Sequence, residues 1–206
     1  MDALTLSKLA VKHTQNAFAE SLYINYNYDM TKPVTFYGIV NERCNVKCRQ
    51  CEYWRLKEYK EEMTIEEWQN ALLSVKEFVG DFSINFSGGE PYIKKGFVDL
   101  LAFGHQNGIN CGVTTNGYCM TKENAAKTVA AHPFNVNMSL DGHNAELHDY
   151  LRGQPGLFDR LSKGVEYLRQ EQEKQGVQFP INIKPTINKL NFRHLPDIVK
   201  WAEHLG

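Results

Sequence analysis

Residues 64–86 read TIEEWQNALLSVKEFVGDFSINF, and the order of elements within them decides the fold. Thr64 and Glu67 form a capping box, in which each side chain satisfies a backbone N–H left unpaired at a helix start. Trp68, Leu72, Val75 and Val79 share one helical face, and Gly80 ends the element. SINF (83–86) follows as a strand-sized run of β-branched and aromatic character. This stretch therefore predicts a helix feeding a strand.

The pattern extends in both directions. Upstream lies VTFYGIV (34–40); downstream lie CGVTT (111–115), NVNMSL (135–140) and INIKPTI (181–187). Helical stretches separate them: 96–107, ended by Gly108; 121–131, stopped by Pro133; and one with Phe158, Leu161, Val165 and Leu168 on a face, ending near Gly176. A last helix runs from Asn191 and uses Leu195, Ile198, Val199, Ala202 and Leu205. Five strand–helix units predict an α/β fold with a parallel sheet, either open and doubly wound or curved as a barrel. Residues 34–206 are too few for a closed eight-unit barrel. Residues 1–33 read as a separate helical extension, with Leu6, Leu9, Ala10, Ala17 and Phe18 at helical spacing and Pro33 closing the segment.

The 206 residues carry 23 Lys+Arg against 24 Asp+Glu, a net charge of −1. No general positive field exists to hold a polyanion, so bulk nucleic-acid binding is not expected. The N-terminus does not read as a secretory signal, and no stretch is apolar enough to span a membrane. Five cysteines, an odd number without an export signal, argue against a disulfide framework and predict a reducing, cytoplasmic setting.

Cys44, Cys48 and Cys51 crowd into RCNVKCRQCEYW (43–54), just after the first strand. Their spacing matches a helical face, but the positions that would extend that stripe are Asn41, Arg55 and Glu58, so a buried stripe does not account for them. Structural zinc needs a fourth Cys or His ligand. No histidine lies between His13 and His105, and Cys111 and Cys119 are about 60 residues away. Three thiolates on a 4Fe-4S cubane would leave one iron open for a ligand.

CNVKCRQC resembles the C-x3-C-x2-C loop of the radical S-adenosylmethionine enzymes. A second motif agrees in register: Gly88, Gly89, Glu90 and Pro91 end the second strand, as the GGEP motif does in that family. Read physically, two glycines permit close backbone approach, and carbonyls with the Glu90 carboxylate can accept hydrogen bonds from an ammonium. TTNG (114–117) ends the third strand, with Asn116 either a ligand contact or a plain turn residue. SLDG (139–142) ends the fourth. With HDYLRG (148–153), it resembles the subgroup related to the molybdenum-cofactor cyclase and the SPASM-type maturases. That resemblance implies that Ser139 and Arg152 contact S-adenosylmethionine, the Arg fork suiting a carboxylate. Lys184, within the fifth run, either meets substrate or cofactor or snorkels. The family commonly has an aromatic residue before the third cysteine, and here that position is Gln50, with Tyr53 or Trp54 as substitutes.

The resemblance implies a partial (β/α) barrel whose expected sixth strand and helix are not found in residues 34–206, so that either the sequence is a fragment or another segment completes it. It implies a 4Fe-4S cluster held by Cys44, Cys48 and Cys51, and S-adenosylmethionine held by Gly88 to Pro91, Asn116, Ser139, Arg152 and Lys184. The implied reaction is reductive cleavage giving a 5′-deoxyadenosyl radical, fed by a low-potential donor such as flavodoxin or ferredoxin. The rival is a non-catalytic iron–sulfur or zinc module, or a degenerate barrel serving recognition. Among the remaining residues, His143 and His148 read as surface or helix-start residues, Cys111 and Cys119 as buried or incidental thiols, and RLKEYKEE (55–62) as a solvated face.

Overall fold

The computed structural model describes residues 3–56, 58 and 61–204, without the side chains of residues 3–6, 8 and 9. The sheet consists of β1 (Thr35–Asn41), β2 (Ser83–Gly88), β3 (Asn110–Thr115), β4 (Val136–Met138) and β5 (Ile181–Ile183). All pairings are parallel, and the spatial order is the chain order. The helices are α1 (Ala3–Tyr26), α2 (Ile65–Val79), α3 (Phe97–Gln106), α4 (Lys122–Ala130), α5 (Ala145–Arg152), α6 (Leu157–Gln175) and α7 (Leu195–His204). Helices α2, α3, α4, α6 and α7 pack their apolar faces into the core on one side of the sheet and leave the other face open, as crossovers of one hand require. The molecule is a partial, open barrel of α/β class.

The capping box of α2 forms as expected, both reciprocal hydrogen bonds being present. Trp68, Leu72, Val75 and Val79 join the single large core between sheet and helices. Trp68, Phe86, Phe97 and Tyr92 pack edge to face through this core, with centroids 5.4, 5.9 and 5.4 Å apart.

Strand alternation turns Phe86, Val113, Val136 and Met138 toward the helices, and Tyr37, Asn85, Thr114, Asn137 and Asn182 toward the open concave face. There the polar side chains form a hydrogen-bonded row across four strands. Thr114 Oγ1 donates to Asn85 Oδ1 (2.7 Å), Asn137 Nδ2 to Thr114 Oγ1 (3.3 Å) and Asn182 Nδ2 to Asn137 Oδ1 (3.0 Å). Asparagine is a poor strand former, so sheet propensity does not account for this row. Gly112 makes room for it: a Cβ there would lie 2.4 Å from Asn135 Oδ1.

Several boundaries differ from the sequence expectation. The first helix extends to Tyr26 and ends at Asn27, which takes φ 55°. It is fastened by Lys12, whose buried ammonium donates to Val79 O (2.8 Å) and to Asp81 O, where the carbonyls at the end of α2 favour a cation. The last α-helix begins at Leu195 rather than Asn191, after a 3-10 turn (Phe192–His194). Asn191 is instead committed to the loop, donating through Nδ2 to Asp141 O and Thr186 O. The fourth and fifth strands are shorter than their apolar runs, so Lys184 lies one residue past β5. Leu6, Leu9 and Leu205 of the expected helical faces, and positions 57, 59 and 60 of the charged run, lie outside the described residues. No described helix is long and apolar enough to cross a membrane.

Candidate active site

The chain leaving β1 forms the cysteine loop at the carboxyl end of the sheet, where parallel sheets place ligands. Three segments grip it. On one side is the turn after β2: Gly89 N donates to Asn41 O (2.9 Å) and Glu90 N to Arg43 O (2.8 Å), while Asn41 Nδ2 returns to Glu90 O (2.9 Å). The paired glycines serve this grip. A Cβ on Gly88 would lie 2.1 Å from Asn41 O, and one on Gly89 would lie 1.9 Å from Arg43 O.

The second grip is the end of α5, where Arg49 N donates to Leu151 O (2.9 Å). Gly153, at φ 63°, passes so close to the loop that a Cβ would meet Lys47 O at 2.1 Å. The third is the turn after β3, where Asn116 Nδ2 donates to Asn45 Oδ1 (2.9 Å). Trp54 Nε1 adds a bond to Cys48 O (2.9 Å), so its polar edge is spent on the loop.

Cys48 is buried and packs with Val46 and Leu157; Cys44, Cys51 and Tyr118 close around them. Burial pushes the Cys44 thiol up to about 11 against a hydrogen bond from Val46 N–H, the charges of Glu90, Cys48 and Cys51 adding to the rise. Cys48 is raised by burial too, and Arg152 opposes that rise. Two donors approach the sulfurs, Asn116 Nδ2 at Cys44 and Arg152 Nη1 at Cys48, each at 3.8 Å. Three thiols packed together without a cation repel one another once ionised; a cationic iron–sulfur group would relieve that.

Cys44, Cys48 and Cys51 supply three thiols from one loop, the donor number with which a cubane keeps one iron free for a ligand. Cys119 is not an incidental thiol: its sulfur accepts from Asn45 Nδ2 (3.2 Å), at the edge of the loop.

Glu90 differs from its sequence reading. It has no exposed surface, and its carboxylate accepts from Thr115 Oγ1 (2.7 Å), Asn116 N (2.8 Å) and Tyr92 N (3.2 Å). Burial raises its pKa to about 6 against these bonds. It braces the ends of β2 and β3. Pro91 is buried and opens the 3-10 turn Pro91–Ile93.

Ser139 follows β4 with the parity of Asn137, on the concave side, and its N–H bonds Thr115 O (2.9 Å). Lys184 shares that side and is exposed; among the described residues its side chain forms no hydrogen bond or ion pair with the loop. Arg152 is 8% exposed. Its Nε lies 2.7 Å from Asp141 Oδ2 as an ion pair, without an aligned hydrogen bond. Gln50 Nε2 donates to the same oxygen (2.7 Å). His148 is wholly buried, contrary to its surface reading, and its Nδ1 accepts from Asp141 N (3.1 Å); burial, with Arg152 adding, lowers its pKa to about 4.

His143, His194 and Asp197 present ligand-type atoms within 4.8 Å of one another. The two imidazoles stack at 4.5 Å and 24°, so their in-plane lone pairs run side by side instead of converging on an ion. This cluster packs the loop after β4 against the start of α7.

Comparison with known proteins gives a match of residues 39–201 to the Radical SAM superfamily model. The AdoMet-dependent heme synthase of Oleidesulfovibrio alaskensis is 34% identical over 168 residues, covering 81% of this chain and 42% of that protein. The mycofactocin maturase of Mycolicibacterium smegmatis is 32% identical over 125 residues, covering 61% and 31%. The chain thus spans less than half the length of these relatives. Streptococcus suis SuiB, in a structure bound to S-adenosylmethionine, shares the fold with a TM-score of 0.72 at 18% identity, covering 92% of this chain and 42% of SuiB.

Proposed function

The chain belongs to the Radical SAM superfamily, and on that premise we propose that it cleaves S-adenosylmethionine reductively at the cysteine loop, using the radical so formed on a substrate held against the concave face. The family uses a 4Fe-4S cluster and S-adenosylmethionine, which when bound supply a 5′-deoxyadenosyl radical that abstracts hydrogen.

The observation that carries the reading is the three-sided grip on the cysteine loop, in which the strand-end motifs hold one structure. Cys44, Cys48 and Cys51 are the residues proposed to hold the cluster. Asn116 and Arg152 place N–H donors at two of the sulfurs, and donors there stabilise thiolate charge. Arg152 and Ser139 stand at the loop and on the concave side, where they would receive the carboxylate and sugar ends of S-adenosylmethionine. Gly88 and Gly89 keep the adjoining backbone narrow, and Glu90 fixes the turn from beneath.

Arg43, Lys47 and Arg49 are exposed on the loop, the side from which an external low-potential donor of the flavodoxin or ferredoxin class would deliver electrons. The likeness to the mycofactocin maturase, together with SLDG and HDYLRG, supports placement near the SPASM-type maturases. Asn85, Thr114, Asn137 and Asn182 offer an uncharged, hydrogen-bonding floor for the substrate.

The test is anaerobic reconstitution with iron and sulfide, then dithionite and S-adenosylmethionine, with 5′-deoxyadenosine measured by mass spectrometry. Product above a protein-free control is expected. None above it, from protein carrying a full cluster, would defeat the reading.

A further inference from the structure

Asp141 is used by none of the roles above, yet it touches more of the site than any of them. It has no exposed surface. Oδ2 accepts from Gln50 Nε2 (2.7 Å) and pairs with Arg152 Nε (2.7 Å), and Oδ1 accepts from Thr186 N (2.7 Å). Its carbonyl accepts from Asn191 Nδ2 (2.9 Å) and its N–H donates to His148 Nδ1 (3.1 Å). The end of the cysteine loop, α5 and the segment after β5 therefore meet at one residue. A buried ion pair is a poor source of net stability, because desolvation offsets attraction.

We propose that Asp141 is a positioning residue for the cluster and S-adenosylmethionine site: it aims the Arg152 guanidinium past Cys48 and, through Gln50, locks the Cys51 end of the loop to the segment after β5. This rests on the functional reading above. It also gives Gln50 a reason to stand where the family commonly has an aromatic ring, since its carboxamide donates to Asp141 and a phenyl ring has no donor to offer. The carboxylate balances a guanidinium whose Nη1 lies 3.8 Å from the Cys48 sulfur. Without that balance the extra positive charge favours the reduced, more negative cluster.

The experiment uses the protein reconstituted anaerobically, reading the cluster's midpoint potential by EPR-monitored titration and S-adenosylmethionine affinity by equilibrium dialysis. Asp141→Asn keeps the shape but sets an amide NH2 against Gln50 and Arg152 or against Thr186 N–H. It is expected to raise the potential and to weaken affinity about tenfold or more. Asp141→Asn combined with Gln50→Glu returns a carboxylate to the other end of the same contact and should recover most of both. Gln50→Leu, at an exposed position, should weaken affinity about threefold or more and leave the potential in place. An unchanged potential and affinity in Asp141→Asn overturns the proposal, as does a double variant no better than Asp141→Asn. Where Asp141→Asn does not fold, unchanged affinity in Gln50→Leu overturns it. Unmodified protein that takes up neither cluster nor S-adenosylmethionine defeats the functional reading and this inference with it; failure in the variants alone defeats only the inference.

Discussion

Gly89→Ala adds one methyl group at the point where two motifs meet. The new Cβ would lie 1.9 Å from Arg43 O, 2.4 Å from Arg43 C and 2.8 Å from Glu42 C. All three are backbone atoms that no rotamer change can move. Relief requires the turn and the cysteine loop to part, which strains the Gly89 N–Asn41 O and Glu90 N–Arg43 O bonds. Each of the two bonds contributes about 0.5–1.5 kcal/mol net, and forced overpacking costs about 1–3 kcal/mol, for a total of about 2–6 kcal/mol. At about 2–4 °C per kcal/mol for a domain of this size, that corresponds to a melting temperature lower by about 4–24 °C. Calorimetry of the metal-free protein reads this directly, and iron per chain after reconstitution should fall with it. Gly176→Ala is the control: φ is 67° and ψ 24°, in the left-handed region, with nothing within 4 Å of the added Cβ, so only the left-handed backbone penalty of about 1–2 kcal/mol applies. A Gly89→Ala protein that melts within about 2 °C of the unmodified one and binds a full complement of iron would refute the reasoning.

Cys44→Ala, Cys48→Ala and Cys51→Ala should each abolish the cluster's absorbance, whereas Cys119→Ala should keep it; loss of the cluster in Cys119→Ala would make that thiol a ligand. Arg152→Lys retains charge but cannot serve Asp141 and Cys48 together, and isothermal titration should show S-adenosylmethionine bound about ten- to a hundredfold more weakly. His148 has a folded pKa near 4, below its unfolded value of about 6.5, so the unfolded chain takes up the proton first. Stability from this group is present above about pH 6.5 and is lost by about 3 kcal/mol as pH falls to about 4. Urea midpoints should drop over that interval, and less steeply in His148→Gln, which keeps an acceptor for Asp141 N but does not titrate.

The alternation of strands and helices was legible because each core face is apolar with a clean period, as on α2. The cysteine loop and the motifs at the strand ends were equally plain. Helix α5 was read only as a motif because its buried face carries His148 and Arg152 beside Leu151, which breaks the hydrophobic period. Asn144 at its start, accepting from Leu147 N, and Gly153 at its end were the available signals. A carboxylate beside two glycines suggests a ligand contact; the bracing role of Glu90 is not legible because its three donors come from positions 92, 115 and 116, two of them at the end of another strand. The Gln50–Asp141 bond joins residues 91 positions apart, and no local pattern announces such a pair. The amide row needed the strand register before Asn85, Asn137 and Asn182 could be seen as neighbours.

The hold on the cysteine loop also orders events in time. Because strand order follows chain order, each unit can dock on the one before it, so folding can advance from the N-terminus as the chain is made. The cysteines emerge early, but Cys48 meets Arg152 across 104 positions and Arg49 meets Tyr150 across 101. A nascent chain ending before α5 presents three thiols on a loop gripped from two sides only, exposed to oxidation and to stray metals. The loop is therefore gripped on all three sides only once residues 145–153 have been made.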